Sequence, residues 1–254
     1  MRETETGLYA VVTADVVAST AVPQFTKLRD RKLGKLSAAH LDQGLVLQPY
    51  TVTTWDEFQS VLAGPWCAPQ VIWDLRRIWH PMPLRIAVGI GTIIEPLRTP
   101  INAFAGGQAF EFAREALDEM RGGKVQRFQR FTQFRSVNSS FDQIANLIYG
   151  LHDTLLKKVT AKQWENINTY VGTGSQDVTA RRLNVGRSTV SRNLQRGSYW
   201  HMKETVEVVR GILKDLFSPA IADGTLRRGP QVLRRIPEHS PGVAQKRTRA
   251  RNRT

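Results

Sequence analysis

The chain has one cysteine, Cys67, among 254 residues. A single thiol forms no internal disulfide and no cysteine metal cluster, so a reducing, cytoplasmic setting is expected. Long apolar runs are also missing. The best stretch, Leu8 to Ala18, is interrupted by Asp15 and falls short of the roughly 20 residues that span a bilayer. The opening, Met1 to Gly7, lacks the basic-then-apolar layout of a secretory leader. No membrane partner is expected. Hydrophobic residues make up 41% of the chain, which excludes a wholly disordered protein.

Positive charge is scarce at the front and abundant behind. Residues 1–120 hold 11 basic and 13 acidic side chains, while 121–224 hold 16 and 8, and 225–254 hold 9 and 1. The formal net charge of +14 therefore lies entirely behind residue 120. Such asymmetry points to a polyanionic partner for the back half.

The front half reads as alternating strands and helices. Leu8 to Val17 is β-branched and aromatic, as a buried strand would be. Helical spacing follows over 24–43, then two strands, Leu45 to Thr53 and Glu57 to Leu62, joined around Trp55-Asp56. A helix over Gln70 to Trp79, a strand from Leu84 to Ile94 and a helix over 108–120 complete the unit. The order βαββαβα predicts an α+β fold of ferredoxin-like or palm type, with helices covering one face of a sheet. Asp15 near the end of the first strand and Asp56 at the tight connection would lie side by side there. Two such carboxylates suit Mg²⁺ or Mn²⁺, which take hard oxygen ligands. Equally, Asp15 would end a strand and Asp56 would be a turn residue.

Four segments then carry a resemblance. Ala14-Asp-Val-Val-Ala-Ser-Thr20, Thr54-Trp-Asp-Glu-Phe-Gln59, Leu84 to Thr92 and Gly107 to Ala116 resemble, in the same order, the SatD family. More distantly they resemble the class III nucleotidyl cyclase and GGDEF domains. The resemblance implies a palm domain over 1–122 whose Asp15 and Asp56 match the metal carboxylates of the cyclases. Arg114 matches their phosphate-stabilising arginine, a role that suits a permanently charged fork. Two positions depart from the pattern. Trp55 stands where glycine is usual, and Phe110 stands where the cyclases have asparagine. Both weigh against catalysis. The resemblance thus favours a noncatalytic palm that senses a nucleotide or dimerises. A metal-dependent nucleotidyl cyclase or transferase using Asp15, Asp56 and Arg114 is the alternative.

Residues 123–140 read as a basic linker or helix extension, 141–224 as a helical domain and 225–254 as a disordered basic tail. In the helical domain, Phe141 to Leu156 reads as a helix with Ile144, Leu147, Ile148, Leu151 and Leu155 on one face. Thr160 and Ser175 are expected helix caps. Ser175 to Leu183, the turn Asn184-Val-Gly186 and Ser188 to Arg196 form a short helix, tight turn and short helix. This pattern is similar to the helix-turn-helix of bacterial repressors and sigma-factor region four. It predicts double-stranded DNA as partner. The second helix would offer Arg187, Ser188, Thr189, Ser191, Arg192, Gln195 and Arg196 to the major groove. Arg181, Arg182 and Lys162 would contact phosphates. Tyr199 to Leu216 is a further amphipathic helix, placed to pack on that unit or to pair two chains. The expected function is a DNA-binding regulator.

Overall fold

A computed structural model describes residues 8–93, 106–122 and 130–218. Five strands and eight α-helices, with two single turns of 3-10 helix, make a mixed α+β protein among these residues. The elements are β1 (Tyr9–Val16), α1 (Phe25–Asp42), β2 (Thr51–Val52), β3 (Glu57–Leu62), α2 (Ala68–Trp79), β4 (Leu84–Gly91), α3 (Gln108–Gly122) and β5 (Thr132–Ser136). Five helices follow: α4 (Ser139–Lys157), α5 (Ala161–Thr173), α6 (Gln176–Leu183), α7 (Arg187–Arg196) and α8 (Tyr199–Phe217).

The sheet order is β2-β3-β1-β4-β5. All pairs are antiparallel except β4–β5, which is parallel. Strand alternation divides the sheet into two faces. Ala10, Val12, Ala14 and Val16 of β1, with Phe58, Leu62, Leu84, Ile86, Val88, Ile90 and Phe134, build the main core. Helices α1 and α2 close that face through Phe25, Leu33, Leu36, Val71, Ile72, Leu75 and Trp79. The opposite face, through Val11, Val61 and Ala87, receives α3. Helices therefore cover both faces rather than one. A parallel β4–β5 pair needs a crossover, and α3 supplies it. Gly89 makes the close seat possible: a Cβ there would meet the Ala109 carbonyl oxygen at 2.1 Å.

Three further, local expectations differ from what forms. The strand expected over 45–53 shrinks to Thr51–Val52 and a lone bridge, Val46 to Leu62; Pro49 has no N–H to give a ladder. Part of the expected 123–140 linker is β5, at the sheet edge. Positions 123–129, like the basic tail at 225–254, lie outside the described residues.

The third difference concerns α4. An apolar stripe normally faces a core, yet Ile144, Leu147 and Leu151 are 55%, 59% and 63% exposed. The buried side is Phe141, Ala145, Asn146, Tyr149, His152 and Asp153. Polar residues occupy it because β5 offers edge groups to bond. The Asn146 side chain both accepts from the Phe134 N–H and donates to the Phe134 carbonyl. Asp153 accepts from the Phe131 N–H and the Thr132 hydroxyl. These bonds orient α4 against its hydrophobic stripe.

The cores also do not divide at residue 141. Phe141, Ala145 and Tyr149 of α4 and Val209, Leu213 and Phe217 of α8 belong to the main sheet core. A second core gathers Trp164, Ile167, Ala180, Val190, Leu194, Tyr199, Met202 and Val206, together with Trp73 of α2.

Candidate nucleic-acid interface and the acidic positions

The segment from 160 to 197 is shaped by local rules. Thr160 accepts from the Gln163 N–H while the Gln163 side chain accepts from the Thr160 N–H, a capping box that starts α5. Ser175 accepts from the Val178 N–H and starts α6. Asn184 ends α6 at φ 51°, a left-handed conformation asparagine tolerates. Val185 then returns its N–H to the Ala180 carbonyl. Gly186 leads into α7, whose Val190 and Leu194 are fully buried against α5. Ala180, small and buried, lets α6 approach.

With Val190 and Leu194 fixed inward, helical periodicity turns Arg192 outward, flanked by Ser188, Gln195 and Arg196. All four are exposed, as are Arg187 and Ser191, whereas Thr189 is half-buried. Arg192 lies along its own helix, donating to the Ser188 carbonyl at 3.3 Å and the Thr189 hydroxyl at 3.5 Å. Arg187 pairs with Asp177 at 3.5 Å across the turn. Arg181 and Arg182 are exposed on the last turn of α6. Lys162 stands apart near the start of α5, paired with Glu165 at 2.7 Å. From Gln176 to Arg196 the only carboxylate is Asp177, against five arginines.

The acidic positions are arranged differently from the expectation. Strand register places Asp15 opposite Glu57 on one side and Arg85 on the other. Its carboxylate accepts from Arg85 and from Arg121, each at 3.0 Å. Arg121 also reaches Glu57 at 2.9 Å, and Arg114 lies 3.4 Å from the other Glu57 oxygen. Burial works against the Arg121 charge, but hydrogen bonds to Asp15 and Glu57 outweigh it and hold the guanidinium more firmly protonated than usual. Asp56, by contrast, accepts from the Ser19 hydroxyl at 3.0 Å. Asp15 thus shares its place with Glu57, and Asp56 has a different partner.

A divalent cation needs oxygens converging on one point with negative charge in excess. Here two buried carboxylates are crossed by three guanidiniums. One Asp15 oxygen takes both arginines, and the other is buried without a hydrogen-bond partner among the described residues. This donor set does not fit Mg²⁺ or Mn²⁺. Arg114 is spent on Glu57 and is half-exposed. The Trp55 indole lies against Phe25, ring centres 5.8 Å apart, and stays half in solvent. Phe110 packs beside Val11 and Val61.

Sequence reasoning missed Glu57, Arg85 and Arg121. The signal was there in two periods. Residues 57 and 85 fall in register with 15 on the neighbouring strands, and Arg114 and Arg121 stand two helical turns apart on α3.

No curated protein matches the chain in sequence. A solved structure, a regulator of polyketide synthase expression from Bifidobacterium adolescentis, matches 81% of this chain and 82% of its own at 14% identity, with a TM-score of 0.27. A likeness that loose bears on neither fold nor function. The model of the SatD family matches residues 9–200, the whole span from β1 to the start of α8. This chain belongs to the SatD family.

Proposed function

We propose that the chain is a DNA-binding regulator that reads duplex DNA with α7 and acts as a pair. The observation that carries this reading is the outward face of α7. Arg192, Ser188, Gln195 and Arg196 project from a short helix whose other side is locked into a core. Two further exposed arginines, Arg181 and Arg182, flank it at the end of α6. A guanidinium on such a helix can read guanine edges with two bonds, while hydroxyl and amide groups reach bases or phosphates. Catalysis at Asp15 and Asp56 is left out of the reading, because arginines already neutralise the first and the second bonds elsewhere. The Asp15–Glu57–Arg121 cluster acts as a clasp between the sheet and α3.

Pairing is supported by the uncovered stripe of α4. Ile144, Leu147 and Leu151 share one face with the half-buried Ile148, and Val208 and Leu216 of α8 are about half exposed. Ile144, Ile148, Ile212 and Leu216 line one apolar groove. No charged residue interrupts α4 between Gln143 and Leu151. A second copy of this chain fits it best, because a two-fold axis lays the same uncharged stripe on itself. A stable dimer buries about 800 Å² per partner around an apolar centre with a polar rim, and this patch supplies such a centre. Pairing would also set two α7 helices on two half-sites.

The test is selection from a random-sequence duplex library by the full chain, followed by sequencing of the retained DNA. An enriched, two-fold-related motif is expected, and Arg192→Ala should relax it at one base pair in each half. Retention without enrichment of any sequence, or no retention at low salt, would overturn the reading.

A further inference from the structure

A cavity of about 230 Å³ opens where the two cores meet. Its walls come from the end of α2, the start of β5, the last turns of α4 and the start of α5, so it touches both the sheet and the α5–α7 unit. On one side lies apolar surface: Pro81, Pro83, Leu156 and Val159. The aromatic groups Phe131, Trp164 and His80 complete the lining, with the His80 and Trp164 rings 4.8 Å apart.

Charge in the cavity is one-sided once its pairs are counted. Asp153 is saturated, because it accepts from Arg76, the Phe131 N–H and the Thr132 hydroxyl. Arg76 is held by carbonyl oxygens of Leu84 and Phe131 as well, and its Nε is buried without a partner among the described residues. Burial first, and then nearby Lys32, lower the His80 imidazole below its usual range, so it is neutral near pH 7. Lys157 is left over. Its ammonium stands 4.6 Å from the Phe131 ring centre and has no ion pair among the described residues. A cavity lined by aromatic and proline rings, with one exposed and unpaired cation beside it, suits a planar group bearing one negative charge.

We infer that this cavity binds an aromatic monocarboxylate and that its occupancy sets the position of α5 and hence of α7. The volume is below the roughly 300–1,000 Å³ of sites for drug-sized molecules, so one or two fused rings fit. Lys157 would hold the carboxylate, and the ring would lie against His80, which itself rests on Trp164 with ring centres 4.8 Å apart. Trp164 is itself buried in the second core, next to Trp73 and Ile167. A ring pressing on His80 therefore pushes, through Trp164, on the helix that supports α6 and α7. The effect on DNA rests on the reading of α7 above; the binding does not.

Titration calorimetry of the full chain separates the two. 2-Naphthoate is expected to bind at least ten-fold more tightly than the uncharged naphthalene-2-carboxamide. Lys157→Gln, at an exposed position, should lower the melting temperature by at most a few degrees, through loss of its Phe131 contact, and bring the two affinities together. Trp164→Phe should weaken both compounds. No saturable heat from 2-naphthoate at millimolar concentration, or an undiminished preference in Lys157→Gln, would overturn the site. Saturating 2-naphthoate should then shift the affinity for the selected duplex at least three-fold. An unchanged DNA affinity would remove the effector role, whereas a chain that binds no DNA at all would refute the reading of α7 and leave calorimetry to decide the cavity.

Discussion

Salt dependence gives the sharpest test of the DNA reading, because its size can be worked from the exposed charges. Six cations were expected at the interface, but two are engaged: Lys162 with Glu165 and Arg187 with Asp177. Arg181, Arg182, Arg192 and Arg196 remain exposed and free of carboxylates among the described residues. Each phosphate neutralised contributes about −0.9 to the slope of log affinity against log salt. About four contacts from one chain give a slope near −3.6, and about eight from a pair give a slope near −7. Between 50 and 200 mM KCl the pair should thus lose about 10⁴-fold in affinity, and a single chain about 10²-fold. Fluorescence anisotropy with a labelled duplex measures both. Arg192→Ala adds a second axis. If Arg192 touches a base, the variant keeps the slope and loses about 1–3 kcal/mol on the preferred site. If it touches phosphate, the slope becomes shallower by about 2 for the pair. A slope shallower than about −2, or Arg192→Ala identical to the native chain in both slope and affinity, would refute the assignment of this face.

Three further outcomes follow from the packing. Leu147→Glu puts a charge in the centre of the uncovered α4 stripe and should convert a dimer to a monomer in sedimentation velocity; a native chain already monomeric at tens of micromolar would sink the pairing. Gly89→Ala drives a methyl group into the backbone of α3, and should cost about 3 kcal/mol and about 6–12 °C of melting temperature; a native-like melt would contradict the close seat. Asp153→Asn leaves Arg76 buried without its counter-charge, which costs about 3–5 kcal/mol in urea unfolding at pH 7. Burial alone would raise the Asp153 carboxyl, but Arg76, His152 and the Phe131 N–H together hold it below its usual range. Its stabilisation is therefore present above the unfolded value of about 3.9 and fades as pH falls through the lower folded value. The native chain should lose more stability on acidification below about pH 4 than Asp153→Asn does; equal losses would remove Asp153 from that role.

The strands and short helices were legible because their signals are local. Runs of β-branched residues mark β1 and β4, a tight connection before Glu57 marks β3, and caps at Thr160 and Ser175 mark α5 and α6. With Val190 and Leu194 in the core, the helical period alone sets the outer face of α7. What local signals could not supply was the choice between two possible faces of α4. Its leucine and isoleucine stripe is the stronger hydrophobic signal, yet Asn146 and Asp153 win the inward position because the unpaired backbone of β5 needs partners. The same limit governs Asp15. Its neighbours depend on strand register, and register is decided by pairing across some 40 to 70 residues of chain. A spacing argument therefore chose Asp56, one residue away from the side chain that sits beside Asp15.

The shared helices decide how the two cores can communicate. Helix α2 gives Val71, Ile72, Leu75 and Trp79 to the sheet core and Trp73 to the other. Helix α8 gives Tyr199, Met202 and Val206 to the α5–α7 core, then Val209, Leu213 and Phe217 to the sheet. Arg77 adds a polar tie, donating to Asn168 of α5 at 3.1 Å. With two helices common to both cores, the α5–α7 unit cannot swing on a loose linker. Packed interiors respond to a pushed side chain by small displacements of whole helices. Such displacements would suffice for the proposed DNA reading, because hydrogen bonds to base edges are lost within about an ångström of misplacement. If two copies pair through the exposed α4 stripe as proposed, that stripe would fix the spacing between two α7 helices, and a shift of α5 in each copy would change the spacing twice.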